Sequence, residues 1–109
     1  ALDYTRENYE AVLAFYPDKP IVITEAGWAT HSNGRGIHPE NVNEENQKIY
    51  YEDLMNWAEI NMAMVFFFEA FDESWKGSTD PNEPEKHWGL FHTDRTPKIA
   101  AACLYIDLQ

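Results

Sequence analysis

Apolar and polar positions alternate between two periods along the chain, and the switches mark its elements. Residues 3 to 16 carry Tyr9, Val12, Leu13 and Tyr16 at i, i+3, i+4 and i+7, one apolar stripe of a helix. Pro17 stops it, and Asp18-Lys19-Pro20 is a tight link into a wholly apolar run, Ile21-Val22-Ile23-Thr24, that ends at Glu25. A β-branched run of this kind reads as a strand buried on both faces. A polar loop with Ser32, Asn33, Gly34, Gly36 and Pro39 occupies residues 26 to 41. Helical spacing returns from about Asn43 to Ile60, with Tyr50, Leu54, Trp57 and Ala58 on one face and Asn41 or Asn43 as its cap. Met64-Val65-Phe66-Phe67-Phe68 then predicts a second buried strand, ending near Glu69. After it comes a loop of aromatic and acidic residues, a short extended piece at Trp88-Gly89-Leu90-Phe91, and a helix start at Thr96-Pro97 that predicts a last helix from Ile99 to Leu108.

The order helix, strand, helix, strand, helix implies an α/β chain with parallel strands and helical crossovers. Two parallel strands cannot cover their own faces and edges, so the 109 residues read as part of a larger sheet. The long loops all follow strands, which is the active-site side of a (β/α) barrel.

Composition narrows the partners. With 19 acidic and 8 basic side chains the net charge is −11, which argues against a nucleic acid or an anionic membrane and leaves a neutral polysaccharide unopposed. A solvated acidic surface explains the same charge. No stretch is long and apolar enough to span a bilayer, and no targeting segment is recognised. The single cysteine, Cys103, permits no internal disulfide and reads as a buried small residue in a helical run.

The candidate chemistry sits at strand ends. An apolar strand gives no structural reason for the terminal Glu25, and Gly27-Trp28 follows it with a sharp turn and an indole; a helix-dipole or salt-bridge partner at a surface turn is the alternative. Glu69, Asp72 and Glu73 close the second strand and open its loop. Glycoside hydrolysis needs two carboxyl groups flanking the scissile bond, and flat aromatic faces suit pyranose rings. Glu69 reads equally as a residue of the barrel mouth or as the partner of a nearby cation. Glu73 and Lys76 are spaced to form a charge pair that positions a nucleophile, or stand as exposed loop residues. Trp28, Phe71, Trp75 and Trp88 are platform candidates, with core packing as the alternative for each. Trp57, Tyr9 and Tyr16 read as packing residues. No metal is implied: His31, His38, His87 and His92 lack ligand spacing, and Asp80, Glu83 and Glu85 lack the order of a calcium loop. Neither a nucleophile elbow nor a phosphate loop occurs, so no cofactor is expected.

Three segments together resemble glycoside hydrolase family 17, the β-1,3-glucanase and glucan-transferring family: Ile21 through Trp28, Phe68 through Lys76, and Glu85 through Phe91. The wording is closer to the bacterial branch than to the plant one, where the second segment usually lacks the acid at Glu69. The resemblance implies that residues 1 to 109 are the C-terminal portion of one (β/α)8 TIM barrel (helix, strand seven, helix, strand eight, helix), incomplete as a barrel alone. It implies a retaining mechanism with Glu25 as nucleophile, and Glu73, Lys76 and Glu85 as the charges around it. Phe71 and Trp28 match aromatic positions near the cleavage subsites, and Glu69, Trp75 and Trp88 complete the substrate-binding candidates. The family's acid/base glutamate lies upstream of these residues, so the chain alone is expected to be inactive, paired with the missing N-terminal part of the barrel or with a second copy of itself. A secreted or periplasmic protein is implied, while hydrolase and transglycosylase, or a non-catalytic glucan-binding or purely structural segment, stay open.

Overall fold

A computed structural model describes residues 1–102. The first helix, α1, spans Leu2–Phe15, and the first strand, β1, spans Val22–Ala26. A 3-10 turn at Pro39–Asn41 leads into helix α2, Glu44–Asn61, and strand β2 follows at Met64–Phe67. Of the two candidate caps, Asn43 is the one used: its side chain accepts from the Asn46 amide at 2.7 Å. The predicted last helix opens as a 3-10 turn at Ile99–Ala101, and its remainder, with Cys103, lies outside the described residues.

β1 and β2 pair in parallel as a two-stranded sheet, joined by α2 as the crossover. The predicted extended piece continues this sheet past β2. Glu69 N donates to Trp88 O, Leu90 N to Glu69 O, Phe91 N to Ala70 O and Asp72 N to Phe91 O, all at 2.9–3.2 Å. Residues 69–72 and 88–91 thus form a parallel ladder that brings the loops after both strands together. Between the strands the register slips by one residue from Ile23↔Val65 to Ala26↔Phe67, so Thr24 and Glu25 stand where β2 has only Phe66. Such a bulge re-aims the side chains it contains.

One core lies between the sheet and α2. Ala26, Tyr50 and Leu54 are buried there, with Ile23, Val65 and Phe67 packed against them. A second joins Leu90, Ala100 and Ala101 to Tyr51 and Phe67. The expectation of strands buried on both faces is corrected. Val22, Met64 and Phe66 are 40%, 59% and 58% exposed, because α2 covers one sheet face and nothing among the described residues covers the other. The α1 stripe is corrected in the same way: Val12, Leu13 and Tyr16 are exposed and α1 buries no residue. Only Tyr9 and Trp57 make the packing contact expected of them, edge to face at 5.1 Å between α1 and α2.

Candidate active site

Gly27 shows why the chain after Glu25 reads as it does. A Cβ there would stand 1.7 Å from the Phe68 carbonyl oxygen, so the glycine is required by close approach of the neighbouring strand rather than by the sharp turn the sequence suggested. That approach seats Glu25 beside Phe68 and Trp88. Together with Glu85 and Gly27 they line one end of an open cleft of about 620 Å³ that runs along β1 towards Tyr4, Tyr9 and Val12 of α1. Phe68 and Trp88 meet edge to face at 6.1 Å and form its aromatic wall. The Phe68–Glu69 peptide at this point is cis.

Two buried polar atoms at this end of the molecule have no hydrogen-bond partner among the described residues: Trp88 Nε1 and Glu69 Oε1. The other oxygen of Glu69 takes the Lys76 ammonium at 2.5 Å, with both side chains more than four-fifths buried. Lys76 also sits over the Phe68 ring, 4.7 Å from its centroid. The expected Glu73–Lys76 charge pair is therefore replaced by Glu69–Lys76. Lys76 turns inward to the carboxylate already desolvated beside Phe68, and Glu73 turns out to accept from the Trp75 indole at 2.7 Å.

The aromatic candidates separate. Trp88 lines the cleft. Trp28 is not among its lining residues; it packs on Tyr50 at 5.4 Å, with its indole donating to the Asn41 carbonyl at 2.9 Å. Phe71 leans on Phe91 at 5.6 Å and carries the Arg95 guanidinium 3.9 Å from its ring centre, outside the cleft. Both are half-buried and make these packing contacts, and neither lines this cleft. Trp75 is 74% exposed and lines a different hollow.

Behind the cleft lies a polar knot in which the sequence reading recognised only Asp72. Lys98, 1% exposed, directs its ammonium to Asp72 Oδ1 at 2.8 Å, Thr30 Oγ1 at 2.7 Å and the His87 carbonyl at 3.4 Å. Burial pushes the Lys98 amine below its ordinary value, and the Asp72 carboxylate opposes that shift. Asp72 also accepts from the Gly89 amide at 2.9 Å, and its other oxygen stands 3.9 Å from ring nitrogens of His87 and His92. Gln47, fully buried on α2, donates to the carbonyls of Trp28 and Gly89, each at 2.9 Å. Gln47 lies on the face that carries Tyr50, Leu54 and Ala58, and a polar residue in an apolar stripe was the available signal. Lys98 carried none, because its partners Thr30, Asp72 and His87 lie 68, 26 and 11 residues away along the chain. Asp80 ties its loop to the one after β1 by accepting from Asn33 at 2.7 Å, Glu83 accepts from the Ser78 amide within its own loop, and these bonds hold both carboxyls below their ordinary values.

The family model of the BtgE/BtgC glycoside hydrolase domain matches residues 1–89. The chain is 32% identical over 91 residues to a glucan 1,3-beta-glucosidase of Arthroderma benhamiae, covering 76% of this chain and 28% of that protein. Its fold superposes on an endo-laminarinase from Formosa Hel1_33_131 with a TM-score of 0.86 and 30% identity, over 96% of this chain and 28% of that one. A glycoside hydrolase family 17 beta-1,3-glucanosyltransferase from Rhizomucor miehei gives 0.75 and 27%, over 92% and 35%. The chain belongs to the BtgE/BtgC glycoside hydrolases, and its neighbours place it with the C-terminal part of family 17. It spans under a third of the length of the curated relatives it matches.

Proposed function

We propose that this chain supplies the nucleophile of a retaining, β-1,3-glucan-active barrel, and that the proton donor comes from the upstream part of that barrel. The observation that carries the reading is the carboxylate of Glu25 in an open cleft walled by Phe68 and Trp88, with two unpartnered buried polar atoms at the same end. The indole N–H donates and the carboxylate oxygen accepts, so a ligand that reaches these buried atoms by opening the wall must both accept and donate hydrogen bonds. Sugar hydroxyls do both. The relatives' names, glucan glucosidases and a glucanosyltransferase, supply the substrate class.

In this reading Glu25 attacks the anomeric carbon, the bond to the leaving oxygen breaks, and a glycosyl-enzyme ester forms. The upstream acid protonates the leaving oxygen. Water then cleaves the ester and gives a free sugar, or a second glucan hydroxyl does and lengthens a chain. Lys76 and Glu69 form the charge pair that fixes the wall beside the nucleophile, while Glu85 and Glu73 set the field at the cleft mouth. Trp88 and Glu69 hold sugar hydroxyls, and Trp28 and Phe71 support the loops from behind. Residues 1 to 109 are, in this reading, one portion of a single catalytic domain, completed by the N-terminal part of the barrel.

The test is product analysis on laminari-oligosaccharides with the full-length barrel protein, its Glu25→Gln variant and this chain alone. We expect turnover with retained anomeric configuration in the first, a loss of at least about a thousandfold in the second, and none in the third. Full activity of the variant, or an inverted product, overturns the assignment. Turnover by the chain alone overturns the claim that its acid lies elsewhere.

A further inference from the structure

Outside the cleft, the loop after β2 forms a second hollow of about 620 Å³, lined by Trp75 together with Ser74, Ser78, Thr79, His87 and Thr93. Trp75 is 74% exposed, yet it does not swing freely: its indole N–H donates to Glu73 at 2.7 Å. An exposed aromatic held in one orientation presents a flat apolar face at little further entropic cost. Around it stand hydroxyl-bearing side chains. The one cation lining the hollow, Lys86, is buried and already donates to the carbonyls of Ser74 and Lys76, so it builds the wall instead of offering a free charge. With a net charge of −11 on the chain, the hollow suits a neutral polyhydroxylated ligand.

We propose that this hollow is a distal glucan subsite, in which Trp75 stacks on a glucosyl unit of the same chain whose scissile bond lies at Glu25. The inference rests on the reading of the Glu25 cleft as a glucan site. The two hollows share no lining residue, but Lys76 bridges them, 4.7 Å from the Phe68 ring centre on the cleft side and 5.8 Å from that of Trp75 on the other. A run of Phe68, Lys76 and Trp75 thus carries the wall of the cleft outward. The consequence is chain-length preference: glucans long enough to reach Trp75 gain affinity, and shorter ones do not.

The experiment uses the full-length barrel protein and its Trp75→Ala and Trp75→Phe variants with laminari-oligosaccharides from triose to heptaose. For Trp75→Ala we expect kcat/KM to fall roughly tenfold on the longest substrates with a much smaller change on the shortest, and Trp75→Phe to recover only part of the loss, because its ring can stack but lacks the N–H that Glu73 holds. Equal losses at every length, or none, overturn the subsite. Titrating laminariheptaose into Glu25→Gln, with and without Trp75→Ala, measures the same subsite without turnover. If Glu25→Gln remains active while Trp75→Ala weakens binding of long chains only, the catalytic assignment fails and the subsite stands.

Discussion

The polar knot around Lys98 and the ground around Glu25 lie on adjoining loops and are built on opposite terms. In the knot every donor of the ammonium has an acceptor, Asp72 is buried, and Gly89 fits only because it lacks a side chain, since a Cβ would stand 2.1 Å from the Asp72 amide. Around Glu25 one strand face is exposed, α1 buries nothing, and Glu69 Oε1 and Trp88 Nε1 have no partner among the described residues. The ammonium of the knot is fully paired, although Gln47 Oε1 beside it has no partner among the described residues, whereas the region around Glu25 is open along its strand face as well as at two polar atoms. A buried ion pair adds little net stability but is costly to break, so it fixes a single arrangement of the three loops that meet there. Open groups cost stability unless something else satisfies them, which is the condition of a surface that completes itself with further chain or with substrate.

Breaking the paired region gives the largest effect. Lys98→Met leaves Asp72 buried without its cation and should cost about 3–5 kcal/mol in urea unfolding of the full-length protein. Adding Asp72→Leu should return much of that loss; failure of the double variant to recover would mean that the backbone bonds, not the charges, hold the knot. Gly27→Ala tests the tightest contact beside the open region. Its methyl would meet the Phe68 carbonyl, and a loss of about 1–3 kcal/mol or more, with activity falling alongside, is expected in thermal melts and assays. A wild-type melting temperature would show that β1 moves freely against the loop after β2.

Asn43→Ala removes the α2 cap and should cost about 1 kcal/mol, a local effect common to both regions because α2 supports both. The pH dependence is subtler. The folded-state pKa of Lys98 lies below the ordinary 10.5, so between the two values the unfolded chain holds more protons and stability rises with pH. Wild type should therefore gain stability relative to Lys98→Met as pH climbs through that window, measured by urea midpoints at stepped alkaline pH. A falling difference would mean that Asp72 attraction outweighs burial. Smallest of all, Phe15→Ser in this chain, at a position 83% exposed, should change stability by less than about 0.5 kcal/mol. A larger loss in the full-length protein than in the chain would identify the α1 face as one that the rest of the barrel covers.

Period and strand ends were sufficient to identify α1, β1, α2 and β2 and to single out Glu25 and Glu69 as candidates, because those signals are local. Apolar spacing reports which face wants burial, and a charge at the end of such a run is conspicuous against it. What that spacing leaves undetermined is whether a partner surface is present, which is why strands read as buried on both faces are covered on one. Pairing was likewise beyond it. Glu73 and Lys76 are close in sequence, but Lys76 chose Glu69 because that carboxylate is the one desolvated beside Phe68. The bulge at Thr24–Glu25, the contact that demands Gly27, and the convergence of Thr30, Asp72 and His87 on Lys98 all depend on how segments distant in the chain come to lie side by side. The sequence by itself determined the elements and the chemical groups at their ends. Only the tertiary structure decided which groups pair with one another and which are left without a partner, because burial and partnership are properties of the space between segments.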